Sequence, residues 1–150
     1  MPEVSLIGNN TEEMSEIFAH FCKFKRQAAA GPRIRVAVVS DPVAQLSEII
    51  PSLTGDDYLI INADSKAIFP IIKGSHARLV TFGFNNKACV TASSVSDSLL
   101  QVCIQRGIRT LSGAIREPQE FSAPCPTPVN ASVVLGAVTA GIVCDVVPGF

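Results

Sequence analysis

The sequence predicts an α/β fold: a mostly parallel sheet flanked by helices, then a small antiparallel sheet, then a buried helix near the C-terminus. Three observations lead there. Short apolar runs rich in β-branched residues recur between residues 4 and 82 with helical patterns between them, as in βαβ units whose strands are covered on both faces. From residue 88 to residue 121 the period changes to apolar–polar alternation with short spacers, as in antiparallel hairpins. A final apolar block, residues 129–140, mixes strand-favouring valine with helix-favouring alanine, and its length, Asn130 near its start and Gly141 at its end point to a buried helix.

Val4-Ser5-Leu6-Ile7 reads as a strand ended by Gly8-Asn9-Asn10. Asn10 with Glu13 three residues on is a helix-start pattern, and Met14, Ile17, Phe18, Phe21 and Cys22 follow at helical spacing, with Ala28 extending the stripe. Acidic Glu12 and Glu13 near the start and basic Lys23, Lys25 and Arg26 near the end suit the helix dipole, and Gly31-Pro32 closes the element. Arg33 to Ser40 is a strand ending at Asp41-Pro42, and Val43 to Ile50 a short amphipathic helix stopped by Pro51. Tyr58-Leu59-Ile60-Ile61 is a strand entering Asn62-Ala63-Asp64, and Ser65 to Lys73 a short helix that Pro70 kinks or shortens. Leu79-Val80-Thr81-Phe82 is the next strand, broken at Gly83. The alternating stretches are Ala88 to Val95, Leu99 to Gln105 and about Arg109 to Phe121. Asn130 opens the last helix and Gly141 ends it, while the stiff connector Pro124-Cys125-Pro126-Thr127-Pro128 is too short to separate domains. The chain therefore reads as one domain: βαβ units over 1–84, hairpins over 85–121 and a closing helix over 129–141.

Composition narrows the function classes. With 47% apolar and 17% charged residues in 150, the chain can bury a core and is not disordered. Twelve basic against thirteen acidic residues, with no basic block, argue against a phosphate-neutralising nucleic-acid surface. The longest apolar run, Val129 to Cys144, is too short and too polar for a membrane span, and no signal peptide is legible. Five cysteines without a CxxC pair, and only two histidines, argue against a structural zinc site and for reduced, mostly buried thiols in the cytoplasm.

The order of segments resembles the later part of the central domain of the ATP-dependent Mur ligases of peptidoglycan synthesis. In that family a strand ending in Asn leads to a helix, an N-A-D-D-P-like strand end, a T-F-G or T-Y-G strand, a small antiparallel sheet beginning A-D-V-x-A, and a helix opening G-x-H-N-x-x-N-A-x-A-A. The counterparts here are Pro2 to Asn9, the helix with Phe18-Ala19-His20-Phe21, Ile61-Asn62-Ala63-Asp64, Thr81-Phe82-Gly83-Phe84, Ala88-Cys89-Val90-Thr91-Ala92 and Asn130-Ala131-Ser132. Both Val39-Ser40-Asp41-Pro42 and Asn62-Ala63-Asp64 suit the one N-A-D-D-P strand end. The resemblance implies the ligase scaffold without its phosphate apparatus. No Gly-Lys of a G-K-T/S loop occurs, the family's metal-associated D-H pair is missing near Asn9 to Thr11, and about Pro126-Thr127 stands where its first His-Asn would be. The amino-acid-binding C-terminal domain has no counterpart either. No cofactor is expected, with ATP and magnesium entering only if further sequence completes the site.

Candidate ligand contacts are Asn130, Asn62, Asp64 and Asp41; no catalytic or metal-ligating residue is assigned. The resemblance aligns Asn130 with an asparagine that contacts adenine, whereas the plainer role is a helix cap. Asp64 after Asn62 suits a ribose or metal contact, or equally an N-cap at a strand-to-helix turn. Asp56-Asp57 reads as a solvated turn rather than a cation site. His20 with Glu16 reads as a surface pair, and His76 as a loop residue. Lys87, Arg106, Arg109 and Arg116 either gather to bind an anion or are simply outward charges on a sheet. The expected function is a non-catalytic Mur-ligase-like domain acting by self-association, as a homo-oligomer, or by docking to a larger ligase-like protein. Two alternatives stand beside it: a fragment or split subunit of an ATP-dependent amide ligase, and a small-ligand or nucleotide binder using the carboxyl ends of its parallel strands.

Overall fold

The computed structural model describes residues 3–8, 11–22, 34–39, 44–96, 98–125 and 130–146. Strand β1 (Glu3–Ile7) is followed by α1 (Thr11–Cys22), β2 (Arg35–Val39), α2 (Ala44–Ile49), β3 (Tyr58–Asn62), α3 (Ile68–Ile72) and β4 (Arg78–Phe82). The chain continues through β5 (Val90–Val95), β6 (Leu99–Ile104), β7 (Ile108–Arg109), β8 (Ile115–Arg116), β9 (Gln119–Pro124) and α4 (Ala131–Val143). One seven-stranded, mostly parallel sheet has the order β1-β2-β3-β4-β5-β6-β9, and β7 with β8 forms a separate two-stranded ribbon. The antiparallel strands thus continue the main sheet, and only the ribbon stands apart. The join is narrow: β4 and β5 register only at Phe82 and Val90, so β5, β6 and β9 run on past the carboxyl ends of the parallel strands.

Strand alternation splits the core in two. Val36, Val38, Tyr58, Ile60, Val80 and Phe82 face α1 and α4, while Ala37, Val39, Leu59 and Ile61 face α2 and α3. Both faces being buried explains why these strands read as continuous apolar runs. Because β1→β2 and β2→β3 step the same way along the sheet while α1 and α2 lie on opposite faces, the two crossovers have opposite hands, a departure from uniform right-handedness. Helix α4 is buried at every residue from Val133 to Val143, as expected of a helix apolar on all sides. Gly136 permits that burial: a Cβ there would lie 2.7 Å from Met14 Cε and 3.0 Å from Phe82 Cζ. Among the described residues no helix is long and apolar enough to cross a membrane.

Several boundaries differ from the sequence reading for identifiable reasons. Pro51 lies inside a 3-10 turn, Ile50–Ser52, that prolongs α2, since a first-turn proline gives up no needed N–H. Pro70 likewise occupies the first turn of α3, which shrinks to Ile68–Ile72. The stretch from Arg109 to Phe121 is no single strand. It divides into β7, a turn, β8 and β9, with Pro118 between the last two. Gly141 sits within α4, and Asp145 ends it at φ 59°. The Val146 amide donates to the Gly141 carbonyl at 2.9 Å and the Asp145 amide to Ile142 at 3.2 Å, the paired closing bonds of a left-handed helix cap. Asn10, Lys23, Lys25, Arg26, Ala28 and Gly31-Pro32 lie outside the described residues.

Candidate functional site

Asn62, at the carboxyl end of β3, accepts a hydrogen bond from the Asp64 amide at 3.0 Å through Oδ1. Its Nδ2 reaches Ser132 Oγ at 3.5 Å across 70 positions of sequence, which ties β3 to the first turn of α4. Asn130 caps that helix: its Oδ1 accepts from the Ser132 amide at 2.8 Å, and its backbone conformation is extended, as a cap requires. The fold therefore brings Asn62, Asp64 and the Asn130–Ser132 turn to one edge of the sheet. Asp41, the fourth candidate, lies outside the described residues.

Asp64 does not cap a helix. Its Oδ2 accepts from the Phe84 amide at 2.8 Å, and its Oδ1 from the Asn85 amide at 3.3 Å and Asn85 Nδ2 at 2.8 Å. It thereby fastens the loop after β4 to the loop after β3. Gly83 is what lets that loop approach: its φ is +153°, and a Cβ on it would fall 2.8–2.9 Å from the Asp64 carboxyl atoms. Asn85 Oδ1 in turn accepts from the Lys87 amide at 2.9 Å. Among the described residues no lysine or arginine side chain takes part in this hydrogen-bonded group, and three N–H donors already occupy the carboxylate. The described residues therefore do not fit a metal–triphosphate complex, which needs cationic donors and unoccupied carboxylate oxygens.

The amino edge of the same strands holds a group that sequence reasoning misread. The sequence pattern of Asp56-Asp57 suggests a solvated turn, but Asp57 is only 4% exposed. Its Oδ1 accepts from the Arg35 amide at 2.9 Å and its Oδ2 from the Thr54 amide at 2.8 Å and Arg35 Nη2 at 3.2 Å. Burial pushes this carboxyl up, but the Thr54 and Arg35 amides and the Arg35 charge outweigh it and hold the group below its ordinary value. Arg35 also donates to the Ser52 hydroxyl and carbonyl. Nearby, the Tyr58 hydroxyl donates to the Arg109 carbonyl at 2.7 Å, and Arg78 lies 5.7 Å above the Tyr58 ring. The available signal was positional: Asp57 precedes a deeply buried strand, and Arg35 and Arg78 each open a neighbouring one.

The remaining candidates disperse. His76 is exposed between α3 and β4, and the His20 side chain lies outside the described residues. Lys87, Arg106 and Arg109 are exposed, whereas Arg116 pairs with Asp145 at 3.5 Å. Among the described residues no three His, Cys, Asp or Glu side chains cluster as metal ligands. The chain matches no protein-family model and no curated protein sequence.

Proposed function

We propose that the chain is a non-catalytic domain on a Mur-ligase-like scaffold that acts through a surface, by self-association or by docking to a larger ligase-like protein. One observation carries the reading: among the described residues the sheet is covered on both faces over β1–β3 and on one face beyond. Leu79 and Thr81 of β4, Thr91 of β5 and Leu99, Gln101 and Cys103 of β6 share a face over which no described helix packs. Leu79 and Leu99 are 48% and 50% exposed there. Leu79 near the start of β4 and Leu99 at the start of β6 lie towards opposite ends of that face, and exposed apolar side chains spread over a partly covered sheet suit burial against an extended second surface. The commitment of Asp64 and Asn130 to internal hydrogen bonds supports the non-catalytic part. Sedimentation velocity over a range of concentrations tests the proposal, with Leu79→Glu/Leu99→Glu as the comparison. A concentration-dependent assembly that the double variant abolishes is expected; a chain that stays monomeric and gains no partner sinks it.

The Asn62–Ser132 contact favours a second reading, a fragment of an ATP-dependent ligase, because it places two family-aligned segments at the edge where open α/β sheets bind ligands. Titration with ATP and magnesium distinguishes the two. Heat that is lost in Asn62→Ala belongs to the ligase reading, and silence to the first.

A further inference from the structure

We infer that a cavity at the amino edge of the sheet is a binding site for a small organic oxyanion with a compact apolar body. The inference is independent of the surface proposed above, since it concerns the opposite end of the parallel strands from the Asn62–Asp64 group. The cavity, a cleft open to solvent on one side, measures about 280 Å³, close to the lower bound for small-ligand sites. Its walls come from the start of β3, the start of β4 and the ribbon β7–β8. Half-buried Ile34 and Leu111 supply the apolar surface, and Arg78 and Arg109 the positive charge.

The two cations are held in different ways. Arg78 donates from Nε to the Gly55 carbonyl at 3.2 Å and from Nη1 to the Tyr58 hydroxyl at 3.4 Å. These bonds fix the guanidinium plane and leave Nη2 with no hydrogen bond among the described residues. The Arg109 backbone is pinned by the Tyr58 hydroxyl, while its guanidinium makes no hydrogen bond or ion pair among the described residues. A guanidinium whose plane is already fixed loses little freedom on binding a carboxylate or phosphate, and its forked donors match either oxyanion. The Thr110 and Ser112 hydroxyls are hydrogen-bonded to each other at 3.1 Å, which leaves one hydroxyl proton as a neutral donor on the same wall. Asp56 also lines the cavity, so the local balance is two positive charges against one negative. That balance favours a singly or doubly charged small anion.

The ribbon is rigid enough to hold such a site. The Leu111 amide donates to the Val143 carbonyl at 2.9 Å, and the Ser112 amide to Asp145 Oδ2 at 3.1 Å, so the end of α4 anchors the turn that forms the cavity wall.

Isothermal titration with phenyl phosphate, benzoate and inorganic phosphate tests the inference on the whole chain, beside Arg109→Gln and Asp56→Asn. Arg109 is exposed and its side chain bonds to no described residue, so the variant folds; an unchanged thermal midpoint checks this. Phenyl phosphate or benzoate is expected to bind, the stronger of the two identifying the oxyanion. Arg109→Gln weakens it about tenfold or more, and Asp56→Asn tightens it. Failure of both aromatic anions to bind, binding unaffected by Arg109→Gln, or inorganic phosphate binding as tightly as phenyl phosphate would each overturn the inference.

Discussion

The two edges of the parallel sheet treat their carboxylates differently. At the carboxyl edge, Asp64 is exposed and bonds only to neutral donors, two amides of the backbone and one of Asn85. At the amino edge, Asp57 is buried and faces a guanidinium as well as two backbone amides. The first arrangement fastens loops at the place where open α/β sheets commonly bind ligands. The second fixes the starts of β2 and β3, beside a cavity with two arginines in its wall. The contrast teaches that, among the described residues, the carboxylate at the edge favoured by fold analogy is committed to fastening loops, while the opposite edge sets two arginines beside a cleft. Function has to be argued from the groups themselves.

The largest test of the contrast is Asp57→Ala. It leaves the Arg35 and Thr54 amides without their acceptor in a buried setting and strips Arg35 of its partner, so a loss of about 3 kcal/mol is expected in denaturant unfolding. A loss under about 1 kcal/mol would show that water replaces the carboxylate there, making the two edges alike.

Gly83→Ala comes next, at about 2 kcal/mol, because the new Cβ meets the Asp64 carboxylate on a backbone that favours glycine. In the Asp64→Ala background the steric part disappears, so the double variant should fall short of the sum of the singles. Additive effects would mean that the loop is not held through Asp64. Asp64→Ala alone should cost about 1 kcal/mol, the size of exposed side-chain-to-amide bonds at caps.

Acid sharpens the comparison further. Asp57 sits below its ordinary value in the folded protein, so the unfolded chain binds that proton more readily. The contribution is complete well above the ordinary aspartate value of about 3.9 and is lost as pH falls through the lower folded-state value. Stability measured against pH should therefore fall less steeply below about pH 4 in Asp57→Asn than in the native chain. The smallest stability effect belongs to Leu99→Glu, within about 0.5 kcal/mol for an exposed position. Its expected consequence is loss of assembly in sedimentation, and a core-sized destabilisation would mean that the face is already covered.

Much of the architecture was legible because local rules and tertiary packing agree. The apolar runs at Val36–Val39 and Tyr58–Ile61 are buried on both faces, which is why they lack alternation. Asn130 capped the last helix as its residue type suggests. Boundaries were less legible, because Pro51, Pro70 and Gly141 all stand where their usual punctuating effect is tolerated. The site was legible only in part: the positions of Asn62 and Asp64 followed from the strand ends, but their partners did not.

By itself the sequence determined the α/β class, the order of elements and the burial of the strands, since periodicity and β-branching act over a few residues. Tertiary structure alone decided that Asp57 is buried on Arg35 while its neighbour Asp56 is exposed, and that Asp64 holds Phe84 and Asn85. It also decided that the hairpins extend the main sheet through Phe82 and Val90. The Asp57 and Asp64 contacts join residues about twenty positions apart and the Phe82–Val90 join closes a shorter loop, and the free energy of such contacts exists only once the chain has closed the intervening loops.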